Sequence, residues 1–353
     1  MFEADKLFMK RALELARRGA GLVSPNPMVG AVLVKEGRIV GEGYHRYDLL
    51  KHGETYAMEM AGAEAQGSTL YCNLEPCCHY GRTPPCSDAV IKAGIARALI
   101  AIKDPFPRVN GRGIEQLRTA GIDVEVGLCD DEALRLNESY FKFVARNTPF
   151  VHGVIEYPAE GSESPVSWKP SRGFIESASE YDAVVLGSRA ELNSRLIEQR
   201  LSRTHHRPLV VVGGAGTLEL AMADERGEPV FPDGVAAKPG SAPVAGVTDA
   251  SEALRTLNPM SVGSTELTSM LESLARASVT SVVILPGAFD LTEPNNFEQI
   301  DKLTLAVAGA KTGDTTATRL GIADLEFDLE EVSIAEADGY TEFTGYPRLR
   351  GVA

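Results

Sequence analysis

One imidazole and two thiols recur at positions from which they could share a metal ion. His52 begins the run His52-Gly53-Glu54, Cys77 follows Glu75-Pro76 at the end of an expected strand, and Cys86 follows Pro84-Pro85. One nitrogen and two sulfur ligands suit catalytic zinc, because three protein ligands leave the fourth tetrahedral position to water. His52 and Cys86 each stand where a helix is expected to begin, and helix N-termini favour anions and lower thiol pKa values. Glu54 lies two positions after His52, a spacing that can aim its carboxylate at that water instead of the metal. A carboxylate so placed can take the water's proton and deliver it to a leaving amine. A closed structural zinc site is the alternative for the three ligands, and it has no use for Glu54.

The order H-x-E…P-C-x-x-C marks zinc deaminases of nucleobases. Here the interval between Cys77 and Cys86 is longer, and the loop itself carries further information. Glu75-Pro76-Cys77-Cys78-His79-Tyr80-Gly81-Arg82-Thr83-Pro84-Pro85-Cys86 resembles the zinc-binding loop of the bacterial riboflavin-biosynthesis deaminase/reductase family. Ser24-Pro25-Asn26-Pro27-Met28-Val29-Gly30 resembles that family's amino-terminal motif. Gly41-Glu42-Gly43-Tyr44-His45 and Asp104-Pro105 through Gly111-Arg112-Gly113 follow in the same order. Several ordered motifs make a chance match a poor explanation.

The resemblance implies hydrolytic deamination of 2,5-diamino-6-ribosylamino-4(3H)-pyrimidinone 5′-phosphate, with ammonia leaving and the pyrimidinedione formed. It implies His52, Cys77 and Cys86 as zinc ligands and Glu54 as the proton shuttle. It also implies Asn26, His45, His79, Arg82 and Thr83 as contacts to the pyrimidine or the ribosyl phosphate, Arg82 being suited to clamp a phosphate. The chain departs from the family pattern at Gly53, where Ala is usual, at Thr55-Tyr56, and at Phe106, where Asn is common. These changes touch the substrate rim more than the metal. A sibling deaminase serving another pteridine or azapteridine product would carry the same ligands.

Alternating helices and strands must position these residues. Apolar spacing predicts an amphipathic helix over 5–18, strands over Val29–Val34 and Arg38–Glu42, and a helix over Glu54–Ala65. A strand Thr69–Asn73 precedes the loop Glu75–Pro85, and a helix follows from Ser87. A strand Ala98–Ile102, a helix Ile114–Ala120, a strand Ile122–Val126 and a helix Asp130–Ala145 complete the pattern. Strands separated by helices imply a layered α/β domain with its site at strand ends and helix starts. Taken with the resemblance, the expectation is a cytidine-deaminase-like three-layer α/β/α domain over 1–147.

Asn147-Thr148-Pro149 marks the expected boundary. Strand candidates Ala183–Leu186, Leu209–Val212, Val282–Leu285 and Leu303–Ala308 make the remainder α/β as well. In the family's two-domain members a dihydrofolate-reductase-like domain follows and uses NADPH, so 148–353 is expected to be a divergent version of it. Asp182 to Gly187 resembles that domain's central strand, and Ile300 to Leu303 a late one. Its functional signatures are eroded: Val151 to Glu156 continues into Tyr157-Pro158-Ala159, Ser188-Arg189-Ala190 replaces Gly-Thr-Val, and Pro286-Gly287-Ala288 replaces a Gly-Gly segment. The turn Gly213 to Gly216 is weak support for a phosphate site. The leading expectation is a deaminase whose second domain lacks reductase activity and serves packing or homo-oligomerisation. A bifunctional deaminase and NADPH-dependent reductase is the alternative, and a zinc-stabilised scaffold is the non-enzyme alternative.

Charge and cysteine divide along the same line. The net charge of −14 is carried entirely beyond Phe150, where 16 basic residues face 30 acidic ones; the first 150 residues hold 19 of each. Such a chain is poorly suited to a polyphosphate strand, so nucleic acid is disfavoured as a partner and a small monophosphate is not. All five cysteines precede residue 130, and an odd, clustered set points to metal or catalysis rather than a disulfide framework. Cys72, Cys78 and Cys129 read as buried thiols, His152, His205 and His206 as surface or packing residues, and Trp168 as a packing anchor. No run is long enough to span a bilayer and Met1 to Lys6 lacks the order of a signal peptide, so no membrane association and a cytoplasmic location are expected.

Overall fold

In a computed structural model the chain is described over residues 2–46, 48–81, 83–157, 168–186, 209–214, 217–221, 260–262, 266–276, 278–310, 321–322, 325–337 and 339–349. It divides into two units, Met1–Asn147 and Thr148–Ala353.

Side chains alternate across the strands of the first unit, so its sheet is buried on both faces. The strands β1 (Gly30–Lys35), β2 (Arg38–Tyr44), β3 (Thr69–Leu74), β4 (Arg97–Ile102) and β5 (Asp123–Val126) lie in the order β2-β1-β3-β4-β5. β1 is antiparallel to both neighbours, whereas β3, β4 and β5 run parallel. Val32, Val34, Tyr71, Leu99 and Ala101 face helices α1 (Phe2–Arg17) and α5 (Asp130–Leu136). Ala31, Leu33, Leu70, Cys72, Ala98 and Ile100 face α2 (Gly53–Ala61), α3 (Cys86–Lys92) and α4 (Arg112–Thr119). The result is three layers.

Close approach brings α2 to its place. A Cβ on Gly43 of β2 would lie 2.3 Å from the Gly53 carbonyl oxygen and 2.6 Å from the Ala57 nitrogen. Only a bare backbone at Gly43 lets the first turn of α2, which carries Glu54, rest directly on the strand.

The expected single helix Asp130–Ala145 is two helices, α5 and α6 (Glu138–Arg146), broken at Asn137. The Asn137 side chain accepts a hydrogen bond from the Met28 N–H at 2.8 Å and donates to the Met28 carbonyl at 2.9 Å. Asn73 repeats the grip from β3, accepting from Gly30 N–H at 2.8 Å and donating to Met28 O at 3.0 Å. Two buried amides thus hold the segment that follows Asn26, a long-range constraint invisible to helical periodicity.

In the second unit, β6 (Phe150–Tyr157), β7 (Ala183–Leu186), β8 (Leu209–Gly214), β11 (Ser281–Ile284) and β12 (Lys302–Ala308) form the parallel centre of a sheet. Antiparallel β9 (Thr217–Ala221) and β10 (Met260–Val262) extend one edge. The hairpin β14 (Leu325–Ala337) and β15 (Tyr340–Leu349) extends the other, with β13 (Gly321–Ile322) outermost. The hairpin has no strong sequence signal, since the first of its strands is rich in Glu and Asp. Helix α7 (Arg172–Ala178) packs on one face; α8 (Leu267–Arg276) and α9 (Pro294–Phe297) lie on the other. Trp168 is fully buried edge-on against Phe174, and its Nε1–H donates to the buried Glu342 at 3.1 Å. Ser188-Arg189-Ala190, His205 and His206 lie outside the described residues, as do Pro158-Ala159 and residues 215–216 of the glycine turn.

His152 is buried in this core, sharing a 2.8 Å hydrogen bond between Nε2 and Thr304 Oγ1, while its Nδ1 has no partner. Burial, followed by the charge of Lys302, lowers its pKa from 6.5 to about 3. The unfolded chain therefore takes up this proton first as pH falls, so the stability this residue protects is lost between about pH 6.5 and about pH 3. His152→Gln should flatten that acid limb, read from urea midpoints of the two proteins across the window. Parallel pH profiles would sink the assignment.

Among the described residues, no helix is long and apolar enough to cross a membrane.

Candidate metal centre

Parallel pairing of β3 with β4 sets their carboxyl ends side by side, the end of an α/β sheet where sites are usually built. His52 is the N-cap residue of α2, Cys77 lies three residues beyond β3, and Cys86 is the first residue of α3. The sequence-based start of that last helix at Ser87 is thus one residue late. His52 Nδ1 is 3.1 Å from Cys86 Sγ and 3.6 Å from Cys77 Sγ, and all three ligand atoms lie within 4.8 Å of one another. Bonds of about 2.0–2.3 Å to a tetrahedral zinc give ligand separations of roughly 3.5 Å, so the spacing fits. Among the described residues, this is the group of His, Cys, Asp and Glu with such spacing.

The charges fit a dication as well. The hydrogen bond from Cys86 lowers the Cys77 thiol to about 4, with His52 and the Cys86 backbone N–H assisting. Cys86 is pushed the other way, by its hydrogen bond to Cys77 and by burial. The two thiols are thus pushed in opposite directions, and a divalent cation would favour the thiolate form of both. Glu54 is 3% exposed, and its Oε2 is buried without a hydrogen-bond partner. Burial raises its pKa, with the neighbouring His52 opposing. A buried carboxylate oxygen left without a partner beside three candidate ligands is the kind of unsatisfied, perturbed group that calls for an explanation beyond packing.

The residues expected to contact substrate are distributed unevenly. The His45 ring stacks on His52 at 5.1 Å with 29° between planes, and burial, ahead of the charge of His52, lowers its pKa to about 4. A hydrogen bond to the backbone of Pro27 ties it to the loop bearing the exposed Asn26. His79 is half-buried, its Nδ1 is without a partner, and its ring lies 5.7 Å from that of Phe106. Thr83 Oγ1 is 3.3 Å from His52 Nε2, so it meets the histidine of the candidate ligand group itself. Arg82 lies outside the described residues.

Sequence reasoning missed the anchor of the site. The buried Glu75 carboxylate accepts from Gly113 N–H at 2.9 Å and Ile114 N–H at 3.2 Å on Oε1, and from Gly111 N–H at 2.8 Å and Asp104 N–H at 3.2 Å on Oε2. A Cβ on Gly113 would lie 2.1 Å from the Pro76 carbonyl oxygen, so the start of α4 is mated to the ligand loop. The available signal was an acid just before Pro76-Cys77 together with a glycine-rich helix start, which attracts anions. Asp104 is buried too; it accepts from Tyr140 Oη–H at 3.0 Å and Phe106 N–H at 2.8 Å, and burial raises its pKa to about 6. Cys78 donates from Sγ to the Arg108 carbonyl at 3.5 Å, and Cys72 is fully buried. Cys72, Cys78 and Cys129 stand outside the ligand group.

Residues 2–102 match the model of the cytidine and deoxycytidylate deaminase zinc-binding region. The chain is 52% identical over 149 residues to the riboflavin biosynthesis protein RibD of Aquifex aeolicus, covering 42% of each chain. It is 45% identical over 145 residues to the diaminohydroxyphosphoribosylamino-pyrimidine deaminase of Buchnera aphidicola, covering 41% of this chain and 99% of that one. The match thus spans about two fifths of the length of RibD relatives such as the Aquifex protein. Among solved structures, Acinetobacter baumannii RibD superposes with a TM-score of 0.69 at 25% identity, covering 98% of this chain and 99% of that one. The fold is therefore a cytidine-deaminase-like domain followed by a divergent reductase-like α/β domain, as the sequence resemblance implied.

Proposed function

The chain belongs to the diaminohydroxyphosphoribosylamino-pyrimidine deaminase family, and on that premise we propose that it hydrolyses the amine from 2,5-diamino-6-ribosylamino-4(3H)-pyrimidinone 5′-phosphate. The observation that carries the reading is the convergence of His52, Cys77 and Cys86 beside the buried Glu54 carboxylate, whose Oε2 has no hydrogen-bond partner. Those three residues would hold zinc, which supplies the Lewis acidity that lets water ionise near neutrality. Glu54 takes a proton from the attacking water and passes it to the departing nitrogen, so that ammonia leaves and a ring carbonyl remains. Its raised pKa suits a group that must hold that proton between the two transfers. His45, kept neutral, and His79 present hydrogen-bonding nitrogens to the pyrimidine or ribosyl edges, Asn26 adds an amide, and Arg82 clamps the phosphate.

The second unit is proposed to lack reductase activity. Residues 285–301, which follow β11, contain no Lys or Arg and four acidic residues, a poor match for the triply phosphorylated NADPH. Glu156 is engaged by Trp168 N–H at 3.1 Å and Tyr340 Oη–H at 2.9 Å, locking the end of β6 into the unit's own packing. Both observations support the reading in which the second unit does not use this cofactor. The partner is a small pyrimidine ribosyl phosphate rather than a nucleic acid, a view supported by the charge balance of the first 150 residues. Homo-oligomerisation through the second unit and a cytoplasmic location complete the proposal.

The test is to supply zinc-loaded full-length chain with the diaminopyrimidine substrate, then with its deaminated product and NADPH. Ammonia release in the first reaction and no NADPH oxidation in the second are expected. Absence of ammonia would refute the deaminase reading, and ribityl product at a catalytic rate would refute the monofunctional one.

A further inference from the structure

Within the zinc-deaminase reading, we infer that Thr83 is a positioning residue for the ligand His52, not a substrate contact. The imidazole has two nitrogens with opposite duties. Nδ1 faces both thiols, at 3.1 and 3.6 Å. Nε2 faces Thr83 Oγ1 at 3.3 Å. A histidine that ligates through Nδ1 carries its proton on Nε2, so the Thr83 hydroxyl accepts that N–H and selects the tautomer that offers Nδ1 to metal.

The surroundings leave the ring little other restraint. The backbone is held, since the His52 carbonyl accepts from Thr55 Oγ1–H at 2.9 Å and from Tyr56 N–H at 3.1 Å. One face of the ring rests on His45. Rotation within the ring plane is set by the hydrogen bond at the far nitrogen. The loop that delivers Cys77 and Cys86 also delivers Thr83, and it is tied into shape by Gly81 N–H to Thr83 O at 3.2 Å and Ser87 N–H to Cys77 O at 3.1 Å. One loop thus supplies two ligands and the orienting group of the third. An uncharged acceptor also leaves the metal site's charge balance unchanged, which an aspartate in the same place would not.

Zinc retention tests this independently of turnover. Zinc-loaded full-length chain, Thr83→Val and Thr83→Ser are mixed with a chromophoric chelator, and the rate of zinc transfer is followed. Thr83→Val, of similar shape but unable to accept, should release zinc about 10- to 100-fold faster, and Thr83→Ser should behave like the parent chain. In the parent chain the His52 Nε2–H should be visible by NMR and slow to exchange, a measurement that needs no variant to fold. Wild-type retention in Thr83→Val with a raised KM would overturn the inference and return Thr83 to the substrate. A parent chain that holds no zinc would instead refute the deaminase reading on which the inference rests.

Discussion

Glu54→Gln should lower the deamination rate by about 100- to 10,000-fold while zinc content stays at that of the parent chain. The amide keeps the volume of the carboxylate but cannot accept the proton of the attacking water, and Glu54 is not one of the three clustered ligand residues. Zinc assay and steady-state ammonia release measure the two outcomes separately. The substitution should also leave the metal-free protein at least as stable as the parent. Glu54 is buried with an unpartnered oxygen and a raised pKa, so its charged form costs stability above its ordinary titration range. Undiminished ammonia release would place the proton shuttle elsewhere. A Tm that drops by several degrees would show that the hydrogen bonds at the carboxylate, including that from Cys86, outweigh the cost of the unsatisfied Oε2.

Glu75→Gln should destabilise the first unit by about 2–6 kcal/mol, since each buried donor left without an acceptor costs about 1–3 kcal/mol and two are affected. The carboxylate accepts four backbone N–H groups, two on each oxygen. A glutamine offers one oxygen only and points its own N–H groups at two donors. Because these bonds join the ligand loop to the Asp104–Gly113 connection, loss should appear both in urea unfolding and as faster zinc release. A change below about 1 kcal/mol would mean the loop can relax around the amide. Glu75→Asp should not rescue, because the shorter side chain cannot span both loops.

Much of the site was readable in the chain because its chemistry is local. His52 and Glu54 sit on one helix start, and Cys77 and Cys86 bound a single loop, so residue type and spacing single out the candidate ligand set before any packing is known. The strands of the first unit were legible for a similar reason, since both faces of the sheet are covered and the apolar runs are long. What escaped were long-range polar contacts. Asn137 breaks a helix that periodicity would continue because its amide is engaged with Met28, 109 residues away in sequence. The hairpin of β14 and β15 was unreadable because its acidic composition contradicts its conformation, and pairing with β12 overrides propensity.

The sequence by itself pointed to the proposed reaction class and to the three residues proposed as ligands, because imidazole, thiolates and a carboxylate have few joint uses. Only the tertiary structure decided what each neighbour does. Glu75 proved to be the anchor between two loops, and Thr83 faces His52 instead of open space. The physical reason is that a ligand's chemistry belongs to its residue type, whereas the orientation of that ligand depends on hydrogen bonds whose partners are brought together only by folding.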